Sequence, residues 1–285
     1  MYYVLFNPLA CSGTGEASAQ KIKEFIKEEI EFTDITKVDY KEFFGKLTAD
    51  DKVILCGGDG TLNRFVNDTE GILKDEEILF FSAGTGNDFI NDLGKKAPHE
   101  PFDVRKYIKD LPTVEVKGNS YKFVNGVGYG IDGYCCEVGD QLRAQSDKPV
   151  NYAGIAIKGL LGKFKPVNAK VTVDGNTYEY KKVWLAPTMN GRFYGGGMNI
   201  APGQDRLNEE RKISTVIFHG SGKIKTLVIF PNIFKGTHVK HTKNITVLTG
   251  YDVTVEFDRP TALQVDGETI LAVSSYRATS SKIVK

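Results

Sequence analysis

The chain has 285 residues, 41% hydrophobic and 26% charged, which is enough for two ordinary domains with real cores. Lys and Arg total 37 against 36 Asp and Glu, so a net charge of +1 gives no bulk attraction to nucleic acid, and no nucleic-acid partner is expected. The opening MYYVLFNPLA has no basic leader and no long apolar core, and no later run approaches the roughly 20 apolar residues of a membrane span, so a cytoplasmic protein without a transmembrane segment is expected.

The first hundred residues alternate strand-like and helix-like runs. YYVLFN (Tyr2 to Asn7) reads as a buried strand, and Ile22, Phe25, Ile26 and Ile30 recur at helical spacing over Glu16 to Glu31. A weaker cycle, DITKVD then KEFFGKL, follows. KVILCG opens a third, with Leu62, Phe65 and Val66 on one helical face, and ILFFSAG leads into TGNDFINDLG as a fourth. Strands alternating with helices predict a parallel sheet with helices on both faces over residues 1–110.

After Asp110 the pattern changes to short strand-like runs separated by turn dipeptides. PTVEVKGN, YKFVNGVGYG, NAKVTVDGNTYEYKKVWLAPT, KISTVIFHG, KNITVLTG, YDVTVEFD and TALQVDGETILAVSS all have this character, and Asp174-Gly175 is the clearest hairpin signal. One helix is expected near NYAGIAIKGLLGKF. Residues 111–285 therefore predict a mainly antiparallel β-sandwich, whose last strands are free to pack back on the first domain. Cys11, Cys56, Cys135 and Cys136 show no zinc spacing and read as reduced, structural residues.

Three loops occupy strand ends, where ligands of an open parallel sheet sit: NPLACSGTG (Asn7 to Gly15), CGGDGTLN (Cys56 to Asn63) and SAGTGNDF (Ser82 to Phe89). Each carries glycines, which let backbone N–H groups approach a phosphate, and each opens into a helix N-terminus. A single such loop is an ordinary turn; three at equivalent strand ends point to a phosphate cradle. Neither nucleotide fingerprint fits, because Ile157 and Ile217 stand where a Walker A motif before Lys163 or Lys223 needs glycine, and GVGYG (Gly126 to Gly130) lacks the dinucleotide spacing.

Asp59 and Asp88 lie inside two of these loops, where a carboxylate repels an anion unless a divalent cation bridges them. The alternative reading of Asp88 is a helix cap. Asp266 and Glu268 flank a glycine in QVDGE, which alone reads as a hairpin tip.

With GGDGT at 57–61, GTGNDF at 84–89, GGGM at 195–198 and VDGE at 265–268, in this order, the sequence resembles the bacterial diacylglycerol kinase family, which is similar to sphingosine and ceramide kinases in its catalytic region. The resemblance implies an ATP-dependent lipid kinase with its active site in a cleft between an α/β nucleotide domain and a β-sandwich substrate domain. It implies ATP held by Asn7, Pro8, Gly13, Gly58, Asp59, Gly60, Thr61, Leu62, Asn63, Thr85 and Asn87, and Mg²⁺ organised by Asp59 and Asp88. Glu268 is then the proton acceptor for the lipid hydroxyl, with Asp266 the competing candidate. The implied partner is a lipid substrate at a membrane surface, met by transient peripheral attachment. A kinase for a soluble substrate such as NAD and a silent nucleotide-binding module are the alternatives.

Several positions depart from the family pattern. The first loop is longer than usual and has no lysine from Asn7 to Gly15. Arg64 replaces a usual glutamate and reads as a solvated helix residue. Where relatives carry an Asp-Asp-Gly-Leu-like segment for a structural Mg²⁺, this chain reads QDRLNEERKIS (Gln204 to Ser214), and that metal site is not carried over. The helix at NYAGIAIKGLLGKF, apolar with interspersed lysines, reads either as a membrane-surface helix or as one packed on the sandwich.

Overall fold

The structure, a computed structural model, describes residues 1–74, 76–83, 87–97, 99–145 and 150–283. The chain divides into two compact units, Met1–Asp110 and Leu111–Lys285.

The first unit is built on strands β1 (Tyr2–Phe6), β2 (Ile30–Asp34), β3 (Lys52–Gly57), β4 (Ile78–Ser82) and β5 (Phe102–Asp103), in the order β2-β1-β3-β4-β5. The first four pair in parallel, and β5 closes the edge antiparallel. β4 is buried along its whole length and β3 along all but its first residue, as central strands covered on both faces must be. The helices are α1 (Ala10–Gly13), α2 (Gly15–Gln20), α3 (Tyr40–Lys46), α4 (Asp59–Asp68), α5 (Asp88–Asp92) and α6 (Arg105–Ile108). Ile22 packs with Val4, Phe6, Ile54, Cys56 and Phe81 in one apolar cluster. Elsewhere in the unit Tyr40 meets Phe65 edge-on at 5.6 Å.

The helix expected over Glu16 to Glu31 is shorter. It ends at Gln20, passes through a 3₁₀ turn, Lys21–Glu24, and gives way to β2 at Ile30. The expected strand DITKVD is displaced for the same reason: Asp34 accepts hydrogen bonds from the Thr36 amide (2.9 Å) and hydroxyl (2.7 Å), turning the chain into a 3₁₀ turn at Ile35–Lys37. Asp39 accepts from the Glu42 amide at 3.0 Å and caps α3, the expected helix over KEFFGKL.

The second unit is antiparallel. Its elements run β6 (Thr113–Val116), β7 (Asn119–Lys122), β8 (Gly126–Tyr129), α7 (Ile131–Gln145), α8 (Tyr152–Lys158), β9 (Val167–Val173), β10 (Asn176–Val183), β11 (Thr188–Met189), β12 (Phe193–Tyr194), β13 (Met198–Asn199), β14 (Ile213–Phe218), α9 (Lys223–Ile229), β15 (Ile245–Gly250), β16 (Asp252–Val265) and β17 (Glu268–Thr279). Ten strands form one sheet, and β12 with β13 a separate ribbon. β16 changes partners along its length: Val253 to Phe257 pair with β9, and Leu263 to Val265 with β8, on either side of register breaks at Glu256/Thr261 and Thr261/Leu263. Inward residues from both stretches share one apolar core, in which the Tyr129 and Phe257 rings stack at 3.7 Å. The hairpin at Asp174-Gly175 forms as its composition demands, with φ of +48° and +83° joining β9 to β10.

Helices α7 and α9 are additions to the sequence expectation. α7 contains two glycines that a helix normally resists. Both have contact reasons: a Cβ at Gly133 would lie 2.0 Å from the Ala262 carbonyl oxygen, and one at Gly139 would strike the Tyr152 ring at 2.7 Å.

Candidate active site

The strand order 2-1-3-4-5 reverses direction between β1 and β3, and ligands of open α/β sheets bind beyond the carboxyl ends of strands at such a switch point. Asn7 to Gly15 leaves β1 there, and CGGDGTLN leaves β3. SAGTGNDF leaves β4, the next strand over. Phe6 pairs with Cys56, and Gly57 with Ser82, so the three loops start level with one another.

In the first loop the Asn7 side chain accepts from the Leu9 amide at 2.9 Å, forming an Asx turn through Pro8. Gly13 has φ of +85°. In the second loop Gly57 is required by close packing, because a Cβ there would sit 2.4 to 2.6 Å from the Thr61 side chain. Gly58 is the N-cap of α4 and offers no side chain to its first turn, leaving the amides at this helix start for another acceptor. Gly60 has ordinary helical φ and no atom within 4 Å of an added Cβ. Among the described residues nothing explains a glycine there, and it costs helix stability; space for an incoming group does explain it. Leu62 is fully buried and its amide donates to the Gly58 carbonyl at 3.0 Å, so it builds the helix and presents no side chain to a ligand. Asn63 is buried too, its carbonyl oxygen accepting from the Asn67 side chain at 2.9 Å.

Asp59 has an occupation the sequence did not reveal. Its Oδ2 accepts from the Asp88 amide at 2.8 Å, and its Oδ1 from the Phe89 amide at 3.2 Å. The carboxylate of the second glycine loop thus caps α5, the helix of the third loop, from 29 residues away. Asp88 is the first helical residue and not the cap; Asn87 takes the cap position, and its Oδ1 accepts from the Ser82 hydroxyl at 2.6 Å. Thr85 lies outside the described residues. Arg64 pairs with Asp68 at 3.5 Å on the exposed face of α4, a solvated ion pair worth little.

The VDGE turn joins β16 to β17 in the second unit. Asp266 has φ of +46°, and its carboxylate accepts from three consecutive amides: Val124 at 2.5 Å, Asn125 at 2.9 Å and Gly126 at 2.9 Å. This is the work of a turn anchor, and it engages both carboxylate oxygens of Asp266. Gly267 donates its amide to Gln264 Oε1 at 2.6 Å, fixing the tip from its other side. Glu268 follows directly, exposed, on a doubly tethered turn.

Three residues of this neighbourhood went unpredicted. Arg206, 5% exposed, donates from Nη1 to the Val124 carbonyl at 3.2 Å and from Nη2 to Asn125 Oδ1 at 3.0 Å. It grips the segment whose amides Asp266 holds. Gln264 and Asp132 meet over Gly128, where an added Cβ would lie 2.4 Å from Gln264 Nε2 and 2.2 Å from Asp132 Oδ2. In GVGYG, unmatched to any nucleotide motif, Gly128 makes room for these two side chains, while Gly126 abuts Met189 and Gly130 the Trp184 carbonyl; the alternate spacing was the available signal.

Asp132 is 7% exposed, and among the described residues neither of its carboxylate oxygens has a hydrogen-bond partner of good geometry. Burial pushes its carboxyl up to about 6. The buried Tyr194 hydroxyl lies near enough to offset part of that shift without reaching good geometry. Burial also pushes the Cys135 and Cys136 thiols up, which leaves both inert as nucleophiles.

No group of three or more metal-ligating side chains occurs among the described residues. The donor set does not fit a cation caged by protein alone. It does fit Mg²⁺ arriving on phosphates, which needs only one or two carboxylates. In the segment QDRLNEERKIS, Glu210 pairs with Lys212 at 2.8 Å and accepts from the Tyr251 hydroxyl at 3.0 Å, while Gln204 accepts from the Ser214 hydroxyl at 2.6 Å.

The class these features define is an α/β unit with a glycine-loop cradle at its switch point, followed in the chain by an antiparallel β unit with a tethered acidic turn. Residues 1–114 match the family model of the diacylglycerol kinase catalytic domain, and residues 125–280 match that of the YegS C-terminal NAD kinase beta sandwich-like domain. The chain belongs to the diacylglycerol kinase-like lipid kinase family. It is 26% identical over 244 residues to the protein named "Putative lipid kinase YtlR" of Bacillus subtilis, covering 81% of this chain and 77% of that one. It is 27% identical over 197 residues to a diacylglycerol kinase of Mycobacterium tuberculosis, covering 67% of this chain and 62% of that enzyme. The fold also matches a solved structure of a diacylglycerol kinase from Bacillus anthracis, with a TM-score of 0.63 at 18% identity over 98% of this chain and 94% of that one.

Proposed function

We propose that the protein transfers the γ-phosphoryl group of ATP to a hydroxyl of diacylglycerol or a closely related lipid. The observation that carries this reading is the row of three glycine loops at the ends of β1, β3 and β4, in a chain of this kinase family. The reading divides the work between the units. Amides at the starts of the loop helices, with Asn7, Gly13, Gly58 to Thr61, Thr85 and Asn87, hold the nucleotide phosphates. Mg²⁺, carried on those phosphates and facing Asp59 and Asp88, neutralises charge developing on the transferred group.

Glu268 accepts the proton of the lipid hydroxyl. Its exposure leaves the carboxylate open to an incoming substrate, whereas Asp266 two residues earlier is committed to three amides. Because phosphoryl transfer proceeds by positioning and charge stabilisation, a carboxylate fixed by a doubly tethered turn suits the role better than a mobile one.

The test is transfer of label from γ-labelled ATP with Mg²⁺, run in parallel on dispersed diacylglycerol, a total lipid extract and NAD. Labelled phosphatidic acid is the expected product. Label in NAD alone would make the protein a soluble-substrate kinase, and ATP binding with no label in any acceptor would make it a silent binding module.

A further inference from the structure

The second unit carries an exposed apolar surface that neither the active-site turn nor the core accounts for. Its first part is α8 with the π-helical turn Gly159–Lys163 that continues it. Ile155, Leu160 and Phe164 point into the unit's core, in the same cluster as Ile229, Phe230 and Ile233. Ile157 and Leu161, four residues apart, point the other way and are 49% and 57% exposed. α9 repeats the arrangement: Ile229 is buried, and Ile224 and Val228, again four apart, are 82% and 68% exposed. The two elements touch, because Lys223 Nζ donates to the Leu161 carbonyl at 3.1 Å. Two outward apolar pairs on adjoining helical turns are a patch, and a patch of large aliphatic side chains in water needs a reason.

Charge says what covers it. The whole chain is nearly neutral, yet no Asp or Glu occurs between Glu210 and Asp252, or between Val150 and Asp174. Exposed lysines fill those stretches, among them Lys158 and Lys165 around the first pair and Lys223, Lys225 and Lys235 around the second. The acids of the neighbouring α7 do not offset them fully; Asp140 is engaged by Arg143 at 3.4 Å and by the Thr269 hydroxyl at 2.6 Å. Aliphatic side chains ringed by lysine on short surface helices is the composition of an interfacial membrane contact, with the apolar tips entering the headgroup boundary and the ammonium groups meeting lipid phosphate. A protein partner of ordinary composition would not call for so complete an exclusion of acidic residues.

We propose that the face formed by Ile157 and Leu161 together with Ile224 and Val228 docks on an anionic lipid bilayer through these aliphatic tips and the surrounding lysines. The proposal gives the lipid-kinase reading a surface from which to draw its acceptor, and rests on that reading only for its purpose. Binding itself is measured without turnover. Sedimentation with vesicles of phosphatidylcholine mixed with phosphatidylglycerol, and with vesicles of phosphatidylcholine alone, supplies the test. The wild-type chain should sediment with the anionic vesicles, bind the neutral ones at least about tenfold more weakly, and lose binding as salt is raised through the screening range.

The double variant Ile224→Glu/Val228→Glu should lower binding to anionic vesicles at least about tenfold. Both side chains are exposed, and an unchanged circular dichroism spectrum establishes that the variant is folded. A second variant, Lys223→Gln/Lys225→Gln, should weaken binding while flattening its salt dependence. Binding that survives both variants, or no binding by the wild type, overturns the proposal. A wild-type dimer that Ile224→Glu/Val228→Glu dissociates, seen by sedimentation velocity without vesicles, overturns it too, since the face would then join copies of the chain. A wild type that binds vesicles and phosphorylates no lipid leaves this surface standing while removing the proposed reaction.

Discussion

Asp266→Asn separates the two acids of the VDGE turn. In the native turn three amides converge on the Asp266 carboxylate, two on Oδ1 and one on Oδ2, and all three belong to buried residues. Asparagine tolerates a positive φ as well as aspartate does, so the substitution adds no backbone strain at +46°. It keeps one carbonyl acceptor, turns an NH₂ group against the remaining amide, and removes the charge that strengthened all three bonds. A hydrogen bond to a charged group contributes about 1.5–3 kcal/mol, and the partial exposure of the side chain holds the expected loss over the three bonds to about 2–3 kcal/mol. For a unit of this size that corresponds to a Tm lower by about 4–12 °C. Trp184, the only tryptophan and fully buried in this unit with Nε1 donating to the Ser221 carbonyl, reports the transition by fluorescence. Glu268→Gln, on an exposed side chain, should unfold within about 0.5 kcal/mol of wild type. If Asp266→Asn unfolds like wild type while phosphoryl transfer disappears, Asp266 is a reacting group and its assignment as turn anchor is wrong.

Other consequences can be measured on the same protein. Asp59→Ala, with neither nucleotide nor Mg²⁺ present, should speed hydrogen exchange of the Asp88 and Phe89 amides about fivefold, the loss of a helix cap worth about 1 kcal/mol; a residue serving only a metal would leave that exchange unchanged. Gly57→Ala should cost about 1–3 kcal/mol through collision with Thr61. Gly60→Ala, with open space around it, should leave stability equal or raise it by up to about 1 kcal/mol while raising the KM for ATP; equal effects of the two substitutions on stability would remove the argument for a ligand cradle. Asp132 holds its proton in the folded state up to about pH 6 and releases it lower in the unfolded chain, so its contribution favours folding below about pH 4 and is lost as pH rises through about 6, a change on the order of 3 kcal/mol. Chemical denaturation followed by Trp184 should show that decline, and Asp132→Asn should flatten it.

The parts of this molecule that were readable in the sequence are those governed by local chemistry. Glycine runs after apolar strands marked all three loops, and the Asp174-Gly175 hairpin formed as its dihedral preferences require. What escaped depends on contacts made far along the chain. α7 was hidden by Gly133 and Gly139, which weaken the helical signal and answer to Ala262 and Tyr152. The end of the first long helix was lost because Ile30 fits a helical period and a β2 strand equally well. The capping task of Asp59 was hidden because the amides it serves, those of Asp88 and Phe89, lie in the next loop. Arg206 stood in a segment that departs from the family pattern, and only the fold brings its guanidinium to Val124 and Asn125.

The central claim is that this chain phosphorylates a lipid hydroxyl and that Glu268 takes the proton. The most direct measurement is the rate of labelled phosphatidic acid formation from diacylglycerol by the wild type and by Glu268→Gln, with Trp184 unfolding curves on the same preparations. The wild type should form product and the variant should be on the order of 10²- to 10⁴-fold slower, with coincident unfolding curves. A wild type that forms no lipid phosphate, or a Glu268→Gln protein that turns over at the wild-type rate, would contradict that claim.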